Sequence, residues 1–185
     1  MRISVVGGSC SGKTTLSRRL AELLGVPHIE LDALHHGPNW YEAPAELLQQ
    51  RVREALAQAP DGWVVDGNYH GKTGRLVLDE ADLVVLLDPP FLTALRRALW
   101  RTFSRSVTRY ELWNGNRETF RHAFSKDSIV LWVIRTHRQM RPKWTERLAG
   151  DVVVHLRSPR EVERWFQAVS SGSLRAAARD PRSRR

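Results

Sequence analysis

The residues with the clearest chemistry lie near the start of the sequence, in a loop that fits the pattern G-x-x-x-x-G-K-T. Glycines let such a loop curl, so that several backbone N–H groups point at one ligand in front of the following helix. The lysine ammonium can reach the β and γ phosphates of a nucleotide, and the threonine hydroxyl can hold Mg²⁺. We therefore predict binding of ATP and Mg²⁺ by this loop and the residue after it, which are Gly7, Gly8, Ser9, Cys10, Ser11, Gly12, Lys13, Thr14 and Thr15.

Acidic residues stand where two further apolar stretches end. The run Trp63–Asp66 has the form of a Walker B strand, whose carboxylate organises the Mg²⁺ shell. We predict Asp66 to be a metal ligand, with a capping aspartate as the alternative. Glu30 and Asp32 are two positions apart at the end of a predicted strand, so they would share one face. That edge is where open α/β sheets bind ligands, although Glu30 alone could also be a solvated strand end.

Other polar residues are predicted at the same edge of the sheet. Asn68 and Tyr69 follow Asp66 in a polar loop, and we predict that they face a substrate together with Asp32. His35 and His36 are adjacent, so they share neither a strand face nor a helix face. They are interpreted as loop residues or as the lining of a substrate pocket, without a metal role.

The hydrophobic pattern predicts the elements that position these residues. Short apolar, β-branched runs predict strands at 2–6, 28–31, 63–66, 83–88 and 151–156. Amphipathic spacing predicts helices at 15–24, 45–59, 75–81, 91–103, 117–139 and from residue 159. Residues 104–116 lose the helical period and are interpreted as a flexible connection. Apolar strands that alternate with helices indicate an α/β fold with a parallel sheet covered on both faces.

The net charge of +9 is unevenly spread over the 185 residues. Between Arg96 and Lys143 there are twelve Lys and Arg against three acids, and between Arg175 and Arg185 there are five Arg and one Asp. Such patches suit phosphate-rich partners. We predict a domain over 1–170 and a disordered basic tail over 171–185. The single cysteine, with no expected signal peptide or membrane-spanning run, predicts a cytoplasmic protein without disulfides or a zinc cluster.

The internal basic segment, about residues 100–140, is predicted to form an arginine-rich helical lid. Phosphoryl transfer needs cations around the transferred group, and a lid that closes over a nucleotide also excludes water. One alternative is a solvated basic helical pair. Another is nucleic-acid binding, with base stacking on Trp100, Trp113 and Trp132. Trp132 falls on the apolar face of its predicted helix, so core packing is the better interpretation for that residue.

With these elements placed, the sequence resembles the adenylate-kinase-like family of small P-loop kinases. Within that family it is most similar to bacterial proteins named DNA topology modulation protein. The resemblance covers about residues 1–168. The stretches that carry it are 7–14, 28–34 with 38–40, 63–69, 112–118 and 156–162.

This resemblance implies a P-loop NTPase three-layer sandwich, with a five-stranded parallel sheet in the order 2-3-1-4-5 and a lid after the fourth strand. The Glu30-Leu31-Asp32 stretch is similar to the acidic pair of shikimate-kinase-like relatives. One acid of that pair helps to hold Mg²⁺, which implies a metal role for Glu30. The other deprotonates the acceptor hydroxyl, which implies a catalytic role for Asp32.

The resemblance also implies further contacts to the nucleotide. Arg97 and Arg101 look like the arginines of adenylate kinases that stack on adenine and contact phosphate, and Ser158 and Pro159 would flank the base. One departure concerns the acceptor. Adenylate kinases have Asp-Gly-Phe-Pro-Arg where this sequence continues from Asp66 with Gly-Asn-Tyr, so the arginine that grips an acceptor phosphate is missing there.

Taken together, the sequence predicts an ATP- and Mg²⁺-dependent phosphotransferase that acts on a nucleoside monophosphate or another small hydroxyl compound, as a monomer or homodimer. The alternatives are a nucleotide-binding regulator, with ATP hydrolysis as a switch, that touches DNA through its basic surface, and a bare ATPase. The predicted catalytic residues are Lys13, Asp32, Arg97, Arg117 and Arg135.

Overall fold

The computed structural model describes residues 1–108, 113–116 and 128–172. Five strands form one parallel sheet in the order β2-β3-β1-β4-β5, which confirms the predicted order. Parallel pairing brings the carboxyl ends of the strands to one edge, where the P-loop follows β1. The strands are β1 (Arg2–Gly7), β2 (His28–Glu30), β3 (Trp63–Asp66), β4 (Leu83–Leu87) and β5 (Val153–Leu156).

Helices cover both faces of this sheet. Two short 3₁₀ turns, Pro38–Trp40 and Trp113–Gly115, lie among them. The α-helices within the described residues are α1 (Lys13–Leu24), α2 (Leu31–His35), α3 (Ala45–Ala57), α4 (His70–Thr73), α5 (Phe91–Thr108), α6 (Ile129–Arg147) and α7 (Pro159–Ser170).

Successive residues of β1 show why the fold has three layers. Val5 points into a buried cluster with Leu16 of α1 and Trp165 of α7. Val6 points to the opposite face, where it packs with Trp144 of α6. Side chains alternate along a strand, so a strand with apolar residues on both faces must be covered on both sides. The predicted three-layer α/β sandwich is therefore confirmed.

Two predicted elements differ from the structure, although the second strand is confirmed at His28–Glu30. The second strand ends at Glu30, and Leu31–His35 is a helix, in which the His36 N–H donates to the Asp32 carbonyl at 2.9 Å. Leu31 is still buried, because it packs over Gly67, where an added Cβ would lie 2.6 Å from the Leu31 Cβ. Burial of Ile29 and Leu31 fits a strand or a helical turn equally well. The apolar pattern alone therefore could not show where the strand ends.

The second difference is the helix predicted at 75–81, which the structure does not contain. Only His70–Thr73 is helical, and residues 74–80 form consecutive turns. Val77 and Leu78 are both buried, but in different clusters, one against α3 and the other against α6. Because adjacent residues pack in two directions, tertiary contacts rather than a helical ladder fix this segment.

The basic segment is more helical than predicted where it is described. α5 continues to Thr108, beyond the predicted end at Phe103, and α6 continues to Arg147. Residues 117–127 of the helix predicted at 117–139 lie outside the described residues, as does 173–185 of the predicted tail. None of the described helices is long and apolar enough to cross a membrane.

Candidate active site

The P-loop begins with a residue that must be glycine. Gly7 has φ of +146°, and a Cβ at this position would lie 2.2 Å from the Leu87 carbonyl oxygen of the neighbouring strand. Gly12, with φ of +102°, precedes α1 and brings no side chain to cap its first-turn N–H groups. The positive end of α1 therefore opens onto the predicted phosphate site, as the sequence pattern requires.

Lys13 is the first residue of α1, and its ammonium lies at the centre of the site. Its Nζ donates to the carbonyl oxygens of Gly7 at 3.1 Å and Gly8 at 3.0 Å. Burial lowers the pKa of Lys13, whereas the negative charges of Asp32 and Asp66 raise it. Two carboxylates from different strand ends thus act on the same lysine, and the structure brings these three predicted site residues together.

Two arginines of α5 reach the same region. Arg97 donates from Nη1 to the Ser11 carbonyl at 2.7 Å, so its guanidinium lies directly against the P-loop. The positive charge of Arg101 lowers the pKa of Lys13, which places the two cations within electrostatic range of each other. Arg135 of α6 lines the same cleft and is exposed. The predicted catalytic Arg117 lies outside the described residues.

Cys10 links the P-loop to the basic segment. It has φ of +60°, and its side chain packs against a small cluster formed by Ala94, Ala98 and Val133. These residues belong to α5 and α6, so the start of the predicted lid is docked on the P-loop through an apolar contact. Cys10 was predicted only as one member of the nucleotide-binding loop, and the structure adds this packing role.

Asp66 is 2% exposed at the end of β3. Its Oδ2 lies 3.2 Å from the Nε2 of His28, whose Nδ1 lies 3.8 Å from the Glu30 carboxylate. Glu30 also accepts from Arg18 at 2.7 Å. His28 therefore sits between the two predicted metal ligands, a position that sequence reasoning did not assign.

Asp32 lies in the first turn of α2 and not on a strand face shared with Glu30. Its Oδ1 accepts a hydrogen bond of 2.7 Å from the Tyr69 hydroxyl. Burial, together with the Asp32 charge, raises the pKa of Tyr69 well above its ordinary value. The phenol therefore stays protonated at neutral pH and keeps donating to Asp32, which fixes the carboxylate in one orientation.

Asn68 lines the cleft and also binds the backbone of the P-loop. Its Oδ1 accepts from the Gly7 N–H at 3.3 Å, and its Nδ2 donates to the Gly7 carbonyl. One amide side chain thus binds both backbone groups of the first P-loop residue. That Asn68 faces a substrate stays a prediction, and these two hydrogen bonds give it a further role as a support of the phosphate loop.

Four rings line the cleft beside Asp32. The ring centroids of His35 and Tyr69 are 4.5 Å apart, those of His35 and His36 are 4.7 Å apart, and those of His36 and Trp40 are 5.6 Å apart. The prediction that both histidines line a pocket agrees with this position. Lys72 also lines the cleft, with its Nζ 3.4 Å from the His35 Nε2, and the sequence analysis did not single it out.

A segment from the basic region crosses the chain to hold this acceptor side. Asn116 is 4% exposed, and it accepts from the Trp40 N–H at 2.8 Å and donates to the Gly37 carbonyl at 2.9 Å. Asn114 donates to the His36 carbonyl. The sequence predicted a flexible connection here, which is wrong for these residues, because the two amides replace backbone partners of the loop at 36–40. The sequence did contain one indication of an ordered turn here, because asparagines flank Gly115 on both sides.

The remaining predicted residues are placed as follows. Ser158 caps α7 by accepting from the Glu161 N–H at 3.2 Å, and both Ser158 and Pro159 line the cleft. Thr14 and Thr15 line it as well. Trp132 is 56% exposed, so its predicted core packing is wrong, because only the face of α6 that carries Val133 turns inward.

A single cleft of about 2530 Å³ joins these parts, with the P-loop and α5 on one side and the rings beside Asp32 on the other. No protein-family model matches the sequence, and no curated protein matches it either. Among solved structures, the chain is similar to the crystal structure of shikimate kinase from Bacteroides thetaiotaomicron. The TM-score is 0.52 at 16% sequence identity, over 92% of this chain and 97% of that one. This similarity, with the strand order, shows that the chain has the α/β fold of a small P-loop kinase.

Proposed function

We propose that this protein is an ATP- and Mg²⁺-dependent phosphotransferase that moves the γ-phosphoryl group of ATP to a hydroxyl group of a small acceptor. The observation that carries the proposal is that the charges of both Asp32 and Asp66 raise the pKa of the half-buried P-loop lysine, Lys13. A phosphate-binding lysine, a metal-binding carboxylate and a candidate base are the groups that this reaction needs in one place. The name of the similar solved structure, a kinase, supports the same reaction class.

The oxygen donors at this place fit Mg²⁺. Within the described residues there is no group of three or more His, Cys, Asp or Glu side chains that could hold a metal by themselves. Mg²⁺ is usually bound through one or two carboxylates together with substrate phosphates and water, so a complete protein cage is not required. Thr14 and Asp66, with Glu30 near them, would hold the ion. When bound, the ion would neutralise charge on the phosphates.

The chain's own residues would then divide the work. Lys13 and the P-loop amides hold the phosphates, and Arg97 and Arg101 bring positive charge to the transferred group. Asp32 accepts the proton from the acceptor hydroxyl, whose oxygen forms the new bond to the γ phosphorus as the bond to ADP breaks. Tyr69 holds Oδ1 of that carboxylate, so the second oxygen is assigned to the proton.

Two substitutions test these roles in one assay of ATP consumption and acceptor phosphorylation. We expect Lys13→Ala to lose both reactions, by about 100- to 1000-fold, because it removes a preorganised cation from the phosphates. We expect Asp32→Asn to lose transfer by about 100-fold or more while it still binds ATP. Binding is measured separately by titration calorimetry, and thermal unfolding shows whether each variant is folded.

Each assigned role has its own contrary result. Full transfer by Asp32→Asn would remove Asp32 as the base. ATP hydrolysis without phosphorylation of any acceptor in a broad screen would contradict the phosphotransferase and leave an ATPase. The adenylate-kinase-like specificity and the similarity to topology modulation proteins remain predictions, which the same screen addresses.

A second candidate function is a nucleotide-binding regulator that contacts nucleic acid. The observation in its favour is the exposure of Trp100, Phe103 and Trp132, by 70%, 59% and 56%, near the arginines of α5. Exposed aromatic rings between cations can stack on bases. Oligonucleotide binding that weakens steeply with salt and survives Lys13→Ala would support this candidate. Absence of such binding would remove it.

A further inference from the structure

The acceptor side of the cleft has a composition of its own. We define it as the lining residues from segments 32–42 and 67–72. Its walls are the four rings described above, and its one candidate base is Asp32. A run of rings beside a hydrogen-bonding carboxylate suits a ligand that has a flat or apolar face and hydroxyl groups at its edge.

The positive charge on this side is already engaged. Among the described lining residues of these two segments, Lys72 is the only lysine or arginine. Its Nζ lies 3.2 Å from Glu42 Oε2 and 3.2 Å from the Ala43 carbonyl oxygen. The hydrogen bond from Lys72 lowers the pKa of Glu42, so that carboxylate stays charged at neutral pH and balances the ammonium.

His35 adds little positive charge to balance Asp32. His35 is 2% exposed, and burial, followed by the charge of Lys72, lowers its pKa. A neutral His35 leaves the fixed charges of the acceptor side as one ammonium against two carboxylates, Asp32 and Glu42. Arg51, the arginine of α3 that reaches α2, donates from Nη1 to the Leu34 carbonyl at 2.7 Å and does not line the cleft.

We infer that the phosphoryl acceptor is a neutral, ring-bearing hydroxyl compound, either a nucleoside or a free sugar, that packs on Trp40 and His36 and presents one hydroxyl to Asp32. This inference rests on the proposed phosphotransferase function. An acceptor that carried a phosphate or carboxylate would face the Asp32 and Glu42 carboxylates, and among the described lining residues of segments 32–42 and 67–72 the only lysine or arginine is Lys72, which Glu42 already holds. Juxtaposed like charges carry a free-energy cost. A neutral acceptor avoids that cost and keeps the apolar contact with the rings.

The test uses the full chain with Mg·ATP and matched pairs of acceptors. Each pair shares a ring and differs only in charge: adenosine with AMP, guanosine with GMP, glucose with glucose 6-phosphate, and ribose with ribose 5-phosphate. Mass spectrometry identifies the phosphorylated product, and ADP release gives kcat/KM. Either the nucleoside pairs or the sugar pairs should react. In that class, we expect kcat/KM for the neutral compound to exceed kcat/KM for its anionic partner by about 100-fold or more. The class that reacts shows whether the ring of the acceptor belongs to a nucleoside or to a free sugar.

A charge variant adds a prediction that general damage to the site would not produce. Glu42 is 63% exposed in its side chain, and Glu42→Gln leaves the Lys72 ammonium without its carboxylate. The ratio of kcat/KM for the monophosphate to that for its neutral partner should therefore rise about tenfold. Trp40→Leu removes the ring but keeps an apolar side chain, and it should raise KM for the neutral acceptor by about tenfold with a smaller change in kcat.

The results of these experiments distinguish a failure of the neutral-acceptor inference from a failure of the proposed phosphotransferase function. Preference for the anionic member of a pair overturns the neutral acceptor and leaves the phosphotransferase intact. A Glu42→Gln ratio that does not move also overturns it, since the charge balance then does not select the acceptor. No product from any of the four pairs overturns this inference, and ATP hydrolysis without a product in the broad acceptor screen overturns the proposed phosphotransferase itself.

Discussion

On the phosphate side of the cleft, most of the site is the backbone of consecutive residues, Gly7 to Thr14, and the helix that follows them. On the acceptor side, the site is made by side chains that are distant in the sequence. Tyr69 reaches Asp32 over 37 positions, and Asn116 reaches Gly37 over 79. The two sides share one cleft but not one way of being built.

The difference shows which parts of the site are free to change. A phosphate cradle made of backbone N–H groups depends on glycines and on the strand that fixes the first of them, so few substitutions are tolerated there. An acceptor wall made of side chains can change its ligand through single substitutions, because the scaffold does not depend on each ring. One cleft can therefore keep its donor chemistry while the acceptor differs between proteins.

The largest expected effect tests the backbone dependence of the phosphate side. In Gly7→Ala the new Cβ would meet the Leu87 carbonyl oxygen at 2.2 Å, at a φ of +146° that other residues rarely adopt. We expect a loss of at least about 3 kcal/mol in the free energy of unfolding, or roughly 10 °C in Tm. Gly8→Ala is the matched control, because a Cβ there meets nothing within 4 Å. Equal Tm values for the two variants would contradict the argument.

The next effect tests a side chain from outside the P-loop that holds the first residue of the loop. Asn68→Asp keeps an acceptor for the Gly7 N–H but places a charged oxygen against the Gly7 carbonyl. We expect ATP affinity, measured by calorimetry, to fall about 30-fold, because a hydrogen bond becomes a repulsion. Asn68→Leu removes both hydrogen bonds without adding charge and should cost about tenfold. If both variants bind ATP like the parent, Asn68 does not support the loop.

Sequence reasoning succeeded where the site is local. The motif, the preceding strand and the following helix are contiguous, so Gly7, Lys13 and the direction of α1 could be predicted together. The parallel order of the strands was also recovered, although through the family resemblance. Asp66 was correctly placed at the end of its strand because it follows an apolar run, and its metal role stays a prediction. In each case the residues that fix the geometry lie within a few positions of the residues they serve.

The predictions that failed concern contacts made over long distances. Nothing near Asn116 in the sequence indicates that its amide completes the loop at Gly37 and Trp40. The support that Asn68 gives to the P-loop, which the sequence analysis missed, likewise depends on β1 and β3 lying side by side. The exposure of Trp132 depends on which helix α6 packs against, which periodicity alone does not determine. A pattern reports which face is apolar, and the fold decides what covers it.

A smaller effect tests the long-range construction of the acceptor side. Asn116→Ala removes the amide that binds the backbone of the loop at 36–40 through one buried donor and one buried acceptor. We expect this to lower the local stability of that loop by about 2 kcal/mol. Hydrogen exchange of the Trp40 amide should therefore accelerate about 30-fold. Asn114→Ala, at an exposed position, should cost less, and ATP affinity should not change in either variant. Equal exchange in both variants would show that Asn116 does not hold the loop.

The smallest expected effect concerns the pH dependence of stability on the acceptor side. Burial lowers the pKa of His35, with a further contribution from the charge of Lys72, so the folded protein binds this proton less readily than the unfolded chain does. Stability is then retained above the ordinary value of 6.5 and decreases as pH falls below it, because the unfolded chain takes up the proton first. Burial lowers the pKa of His70 as well, which adds a loss in the same direction.

His35→Gln isolates the contribution of one imidazole. The variant cannot take up this proton in either state, so its Tm should fall less than that of the parent between pH 7.5 and 5.5, by on the order of a degree or two. His70→Gln, measured in the same series, separates the second histidine. Both losses of stability require that the imidazoles are neutral in the folded state. The proposed preference for a neutral acceptor makes the same requirement of His35. Identical slopes for the parent and His35→Gln would show that the folded site accepts the proton freely, and the acceptor side would then offer an anion a positive charge that the proposed selectivity excludes.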